Sequence, residues 1–551
     1  MANRIFATKS VEQLIQESQD HNHQLKKALS AWDLISIGIG CIIGTGIFVL
    51  TGKVAISNAG PGVILSFIIC GAACIFAALC YAEFASLIPI AGSAYTFSYA
   101  SMGEVVAWII GWDLILEYGV ATAAVSNGWS SHFVNLLKLL REQYHLNFIP
   151  LLPDRWALTP NELIPGSHIH GVANFPALII VLFMMWILIR GIRESATVNN
   201  IIVAIKIGVS LLFIVVGFFF IHPSYWVPLI PHFVPTSPVA AATTGSPSMV
   251  HGLMAIKDVE MYKVILSAFG VKFAEGFGGL AGVFLGAAII FFAYIGFDAV
   301  ATTSEEAKNP KRDLPIGIIG SLVICTILYI LMAAVFTGIV HCNGTLTLDQ
   351  LGVDKGAPLV YAFKQVHNAW VNKYAALLID VGALCGLTSV LLVCLLGQSR
   401  VIFAMARDGL FPPWVSAVHK KYQTPFVGTL ICGLIIAAVG GFIPLGDLAE
   451  MANIGTLFAF VLVSGGILFL RKYQPERKAA FRTPLVPWIP ILSIVSCMAL
   501  MITLPVATWI RFVVWLALGL AIYLGYGLHN STLHQSAASK NALKDVTLGD
   551  Q

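Results

Sequence analysis

Residues 36–52 read SIGIGCIIGTGIFVLTG, and residues 291–300 read FFAYIGFDAV. The first stretch packs Gly38, Gly40, Gly44 and Gly46 into nine positions of an apolar run, with Thr45 between the last two. The second sets Gly296 and Asp298 in the middle of another apolar run. Glycine inside a helix costs about 1 kcal/mol relative to alanine, so four of them weaken the first run as a helix. Two readings of it stand: close helix packing through small residues, which suits Gly40 and Gly44, or an unwound segment. Asp298 favours unwinding, because a buried acid in hydrocarbon is expensive. The two stretches fall in the first and sixth apolar runs of the chain. Two discontinuous helices five apart, at corresponding places in two halves, are the sequence mark of an inverted-repeat transporter. Unwinding frees N–H groups at the start of a half-helix, which suit an anion, and C=O groups at the end of another, which suit a cation. A zwitterion matches both.

The rest of the chain fits a bilayer. Of 551 residues, 58% are hydrophobic and 11% charged, and the mean hydropathy is +0.84. A chain this apolar cannot bury its surface in water-facing domains, which excludes a soluble enzyme. A helix needs roughly 17–25 apolar residues to cross the hydrocarbon. Twelve runs qualify, at about 34–51, 61–89, 104–136, 174–190, 198–221, 283–303, 315–340, 373–399, 425–441, 448–470, 488–505 and 510–528. The fold class is therefore an all-α polytopic membrane protein. With both ends on one side, that side carries 20 of the 32 Lys and Arg residues and the other 11, leaving Lys206 inside the fifth run. The positive-inside rule then puts both termini in the cytoplasm.

The segments flanking the spans read as follows. Residues 1–33 form a polar cytoplasmic lead without a cleavable signal, and 529–551 a polar cytoplasmic tail expected to be disordered. Residues 222–282 read as an external loop with a surface helix near 255–273, and 357–367 as a second external helix. A net charge of +4 without a basic block argues against nucleic acid as a partner. Nine of the ten cysteines lie in apolar runs and read as small packing residues, with Cys342 alone outside them. Trp32, Trp108, Trp226 and Trp488, near span ends, read as interface anchors.

The residues also carry a resemblance. Besides the two stretches above, AGPGVILSF (59–67), YAEFAS (81–86), GSAYTFSY (92–99), EEAKNPKRDLP (305–315) and SRVIFAMARDGLFP (399–412) occur in order over most of 30–530. With these segments the chain resembles the amino acid, polyamine and organocation superfamily, and within it a bacterial member of the cationic amino acid transporter family. The resemblance implies a LeuT-like fold of two inverted five-helix repeats (34–221 and 283–470) plus two C-terminal helices (488–528), in the bacterial inner (plasma) membrane. It implies that the substrate carboxylate meets backbone amides around Ile42, Thr45, Gly46 and Ile47, and the substrate ammonium the carbonyls of Phe292, Ala293 and Ile295. Gly44 and Gly46 would keep the backbone open to approach.

Charged residues within the spans are the remaining candidates. Lys206 either snorkels to the inner interface or projects toward the first and eighth spans. There, in the resembled superfamily's proton-coupled members, a lysine stands in for a bound sodium ion and makes a candidate for proton coupling. Asp113 and Glu117 lie four apart on one helical face, with Glu117 deep in the hydrocarbon. Such a carboxylate finds a helix partner, takes a proton or meets a cationic ligand, and the resembled family ties a glutamate here to cationic substrates or to the transport cycle. Glu83 near the end of the second span, Asp298 capping the new helix start, and Tyr294 and Phe297 beside the sixth break read as gating or structural residues, with Phe292 as a further ring there. Glu305, Glu306, Lys308 and Arg312 form an inner charged cluster with Arg400, Arg407 and Asp408 as candidate partners.

The function expected is a secondary permease importing L-amino acids by alternating access, with protons as the coupling ion and a substrate either cationic, such as arginine or lysine, or small and neutral, such as alanine. An exchanger, a uniporter and a non-transporting amino acid sensor are the alternatives. No protease-type metal triad and no phosphate-binding Gly-x-x-x-x-Gly-Lys-Ser/Thr motif occurs, His132 is a lone histidine, and no cofactor or metal is expected. A partner subunit leaves no trace in the sequence.

Overall fold

In the computed structural model, the described residues run from 27 to 533, apart from 28, 89–92, 143–152 except 145, 165–167, 191–195, 236–275 except 261, 349–355 except 351, 420, 423, 474 and 477–478. The expected surface helix near 255–273 and the polar tail beyond 533 lie outside the described residues, as does the lead before 27.

Among the described residues the regular structure is helical, apart from a two-residue antiparallel ladder that pairs Val234 with Phe277 and three isolated bridges. Helix α1 (Ala31–Ile42) opens with a reciprocal cap in which Ser30 and Asp33 satisfy each other's amides. It stops at Ile43, whose backbone turns extended, and helical structure resumes at once with a wide-turned segment over Gly46–Leu50. The run then continues into α2 (Val63–Leu87). Next come α3 (Ser93–Ser101), α4 (Glu104–Glu142), α5 (Phe175–Ile189) and α6 (Ala196–Phe218). The second part holds α7 (Gly279–Ile290), α8 (Pro310–Ile339), the short α9 (Pro358–Lys364) and α10 (Ala376–Arg407). It ends with α11 (Phe426–Phe442), α12 (Leu445–Tyr473), α13 (Trp488–Ile502) and α14 (Val506–Ile522). The short helix α9 falls where an external helix is expected.

Among the described residues, eight helical stretches are long and apolar enough to cross a membrane, and four shorter apolar helices accompany them. Apolar side chains face outward along them, with Ile435 58% exposed and Val514 61%. In water such a surface would aggregate; in lipid it is the expected exterior. Inside, α4 packs on α10 and α12, α8 on α1 and α2, and α6 on α1 and α10.

One expectation changes here. Trp108 is no interface anchor: it is fully buried, stacks on Trp112, and donates its indole N–H to the Gly519 carbonyl (2.9 Å), tying α4 to α14. Trp32 and Trp488 are exposed, as anchors would be. Cys342, outside the apolar runs as read, is buried, and burial pushes its thiol well up, which leaves it unreactive.

Candidate functional site

The two glycine-marked stretches meet. The sixth run is broken more deeply than the first: α7 tightens at Phe291–Tyr294, Ile295 is extended, Gly296 takes φ +116°, and only narrow turns follow over Asp298–Glu306. A side chain at Gly296 would be strained by that φ and would also crowd Cys41, 2.9 Å from the Cβ position. Residues 46–50 pack directly on 291–294, so closely that a Cβ on Gly46 would fall on the backbone of Ala293. Gly44 is less tight, with Val390 of α10 at 3.3 Å.

One tyrosine holds both breaks. The Tyr329 hydroxyl of α8 lies 2.8 Å from the Ile42 carbonyl and 3.1 Å from the Ala293 carbonyl, one O–H shared between two acceptors. Tyr294 donates to the Phe67 carbonyl of α2 (2.9 Å) and so anchors the sixth break to the second helix. Ile42 is the last residue of α1, so its amide belongs to the preceding helix. Thr45, Gly46 and Ile47 open the new helical stretch, where amides lack intrahelical acceptors. The Thr45 hydroxyl is buried beside them with no partner among the described residues. Phe292 and Ile295 are buried at the sixth break.

Asp113, Glu117 and Asp298 gather behind the breaks. All three are buried, and Tyr81 lies within electrostatic reach of each. Tyr118 donates to one oxygen of Asp298 (3.1 Å), and the Thr456 hydroxyl of α12 lies beside Glu117. Both oxygens of Asp113, one of Glu117 and one of Asp298 have no hydrogen-bond partner among the described residues. None of the three makes an ion pair there. Three charged carboxylates cannot persist together in such a place without a proton or a cation. Phe297, Tyr81 and Phe460 close the cluster on one side, with Phe297 and Phe460 5.0 Å apart between ring centres.

Lys206 does not reach a helix end. It is fully buried, its ammonium donates to the Gly40 carbonyl in the last turns of α1, and its stem packs 3.2 Å from the Cβ position of Gly386 in α10. Of the two readings, the geometry is the one that points toward the first and eighth runs.

Glu83 is buried in a three-part clasp. Arg471 of α12 grips its carboxylate with two parallel bonds (2.9 and 3.1 Å), and the Thr483 amide adds a third (2.9 Å). Breaking a buried pair strands the remaining charge. Because Arg471 is a quarter exposed, Arg471→Ala is expected to cost about 2 kcal/mol, less than the loss of a fully buried pair, and to lower the melting temperature of the purified protein. Glu83→Gln keeps an acceptor for the Thr483 amide and should cost less than Glu83→Ala; equal losses would contradict this account.

The other charges sort themselves by distance. Arg400 and Glu306 approach at 3.5 Å with both side chains about a third exposed, a weak pair. Asp408 accepts from the Tyr95 hydroxyl (2.7 Å). Sequence reasoning missed Glu104, a buried acceptor for Tyr99 (2.8 Å), Tyr523 (2.9 Å) and Ser531 that ties the end of the last helix to α4. It also took His132 as isolated, whereas its Nδ1 lies 2.6 Å from Asp380 of α10, whose other oxygen accepts from Asn135 (2.6 Å). Buried acids spaced along apolar runs were the available signal; their partners, hundreds of residues away, were not. Among the described residues no cluster of His, Cys, Asp and Glu could hold a metal ion.

Comparison with known proteins decides the family. The model of the amino acid permease family matches residues 29–525. The chain belongs to the amino acid permease family. It is 43% identical over 535 residues to a branched-chain amino acid permease of Bacillus subtilis, covering 97% of this chain and 100% of the relative. It is 42% identical over 531 residues to a methylthioribose transporter of the same organism, covering 96% and 99%. A vacuolar cationic amino acid transporter of Arabidopsis thaliana is 33% identical over 476 residues, covering 86% and 68%. The chain is accordingly a multi-pass membrane protein of a transport family rather than an enzyme.

Proposed function

We propose that this protein is a proton-coupled importer of L-amino acids. The observation that carries the reading is the buried group of Asp113, Glu117 and Asp298, which holds carboxylate oxygens without a hydrogen-bond partner among the described residues, immediately behind two broken helices. In this reading the backbone amides of 45–47 receive the substrate carboxylate, and carbonyls around Phe292, Ala293 and Ile295 receive its ammonium. The partly occupied carbonyl of Ala293 retains a second lone pair for that purpose. Glu117 carries the proton, and Lys206 holds α1 against α10 and reports the state of the cycle through Gly40. The supporting architecture is twelve spans in two inverted halves, both termini in the cytoplasm of a bacterial cell, with rocking of one bundle against the other for alternating access.

The full-length match to a branched-chain permease, together with the aromatic wall of Phe297 and Phe460, favours a neutral substrate. A proton on Glu117 then does what a cationic side chain would otherwise do. A cationic substrate is the second reading, favoured by the same buried acids, which make no ion pair among the described residues, and by the plant relatives' names. Uptake of labelled leucine, alanine and arginine into liposomes under an imposed pH gradient tests both: gradient-driven leucine or alanine uptake supports the first, and arginine alone the second. Lys206→Met is expected to abolish uptake or strip it of pH dependence, because no ammonium is left for the Gly40 carbonyl. Gradient-driven uptake at the unaltered rate would contradict its part in coupling.

A further inference from the structure

A cavity lies away from the breaks, between α4, α10, α11, α12 and α14. Its volume is about 520 Å³. The walls are apolar: Ile115 and Gly119 of α4, Ile436 and Val439 of α11, Met451 of α12 and Trp515 of α14. Ile435 on its rim is 58% exposed, so the cavity opens toward the surroundings of the bundle rather than toward the substrate path. Along α11 it extends from Cys432 past Val439 to Ile443 just beyond the helix end, about 15 Å, close to half the ~30 Å of bilayer hydrocarbon.

The two ends differ chemically. At one end stand Asp447 and Arg511, with Oδ1 and Nη1 3.3 Å apart and both side chains more than a third exposed. At the other stands Gln398, 3% exposed, whose amide oxygen has no partner among the described residues. Asn161 is the one further polar side chain of the lining, and the walls formed by Ile115, Gly119, Ile436, Val439 and Met451 offer none of the two to four partners that an ordered water needs. An apolar slot of one leaflet's depth, open to lipid, takes hydrocarbon.

We propose that this groove binds one zwitterionic phospholipid, with an acyl chain between α4, α11 and α12, its phosphate on Arg511 and its ammonium facing Asp447. The charge pattern selects this occupant. Arg511 presents five N–H donors, more than Asp447 uses, and a planar fork suited to phosphate. Asp447 supplies the anion that a headgroup amine requires, so an acid–base pair at the mouth meets a base–acid pair in the headgroup. The bound chain packs behind Leu116 and Gly119, on either side of Glu117. The site depends on the protein's place in a membrane and on neither its substrate nor its coupling ion, so it can be tested where uptake fails.

The test uses the full-length protein in nanodiscs with two photoreactive lipids carrying a diazirine near the chain end, a phosphatidylethanolamine and a diacylglycerol without headgroup. After irradiation, labelled peptides are mapped by mass spectrometry. Phosphatidylethanolamine is expected to label the peptides containing Ile436 and Met451. Labelling there should fall roughly five-fold in Arg511→Ala, to the level of the diacylglycerol, the scale of one Arg–phosphate contact at a membrane surface. Val439→Trp, and independently Ile115→Trp from the opposite wall, should remove it while leaving label on outward faces such as Val513 and Val514. Equal labelling by the two lipids, or groove labelling that survives both tryptophans, would overturn the proposal.

Discussion

Glu117→Gln is expected to abolish the accumulation that a proton gradient drives, while leaving substrate able to equilibrate. In the unaltered protein, one proton carried per substrate converts a one-unit pH gradient, inside alkaline, into about 1.4 kcal/mol of driving force, or roughly ten-fold accumulation. Glutamine has the shape of a protonated glutamic acid and can satisfy the Thr456 hydroxyl that lies beside Glu117. It cannot release a proton. The variant should therefore bring labelled substrate to equal concentrations on the two sides and stop there, with the gradient ignored. Asp298→Asn is the informative comparison. Asp298 accepts from Tyr118 and stands in the first of the turns after the sixth break, so its amide should slow transport through structure and leave residual uptake responsive to pH. Ten-fold accumulation by Glu117→Gln would remove Glu117 from the mechanism.

The second large effect is expected at Gly46. A methyl group there would occupy the backbone of Ala293, and backbone cannot rotate away as a side-chain tip can. Gly46→Ala must push the two breaks apart or move α7, at a cost of about 3 kcal/mol, the upper end for overpacking. It should also withdraw the Ala293 carbonyl from Tyr329, undoing the link that holds both breaks. Uptake should be lost and the melting temperature lowered. Gly44→Ala is the control on the same turn, because its Cβ would meet only the Val390 side chain at 3.3 Å. It should retain most activity. Wild-type uptake by Gly46→Ala would mean that the breaks do not pack as described.

These two positions also show which features were legible. Glycines that weaken a helix and an acid stranded in an apolar run are local facts, so the breaks at 43–44 and 295–296 could be read from a few residues each. The depth of Lys206 could be read the same way, although its partner at Gly40 could not. Long-range partners leave no local sign. Nothing near Glu83 announces Arg471 or Thr483, nearly four hundred residues on. Nothing near His132 announces Asp380, and nothing in the eighth helix marks Tyr329 as the residue that bridges both breaks. Trp108 misled for a related reason: aromatic residues near span ends favour the interface on average, but here the neighbouring α14 supplies a carbonyl acceptor and covers the ring.

The family resemblance implies substrate contacts on main-chain atoms, and main-chain chemistry is blind to side-chain identity. That is why glycine spacing was informative and why substrate preference was not. Relatives named for branched-chain amino acids, methylthioribose and cationic amino acids share the chain's length or most of it. In the proposed reading, discrimination among such substrates rests on the side chains around the breaks, where Phe297, Phe460 and Glu117 offer an apolar wall and an acid together.

The central claim is that the buried acids couple proton flow to amino acid entry. The most direct test is uptake by the purified protein in liposomes, with labelled leucine, alanine and arginine, under an inside-alkaline pH gradient, a sodium gradient, or neither. The account predicts accumulation with the pH gradient alone, none with sodium alone, and equilibration without accumulation in Glu117→Gln. Accumulation that requires sodium, or that occurs only against amino acid preloaded inside, would contradict it.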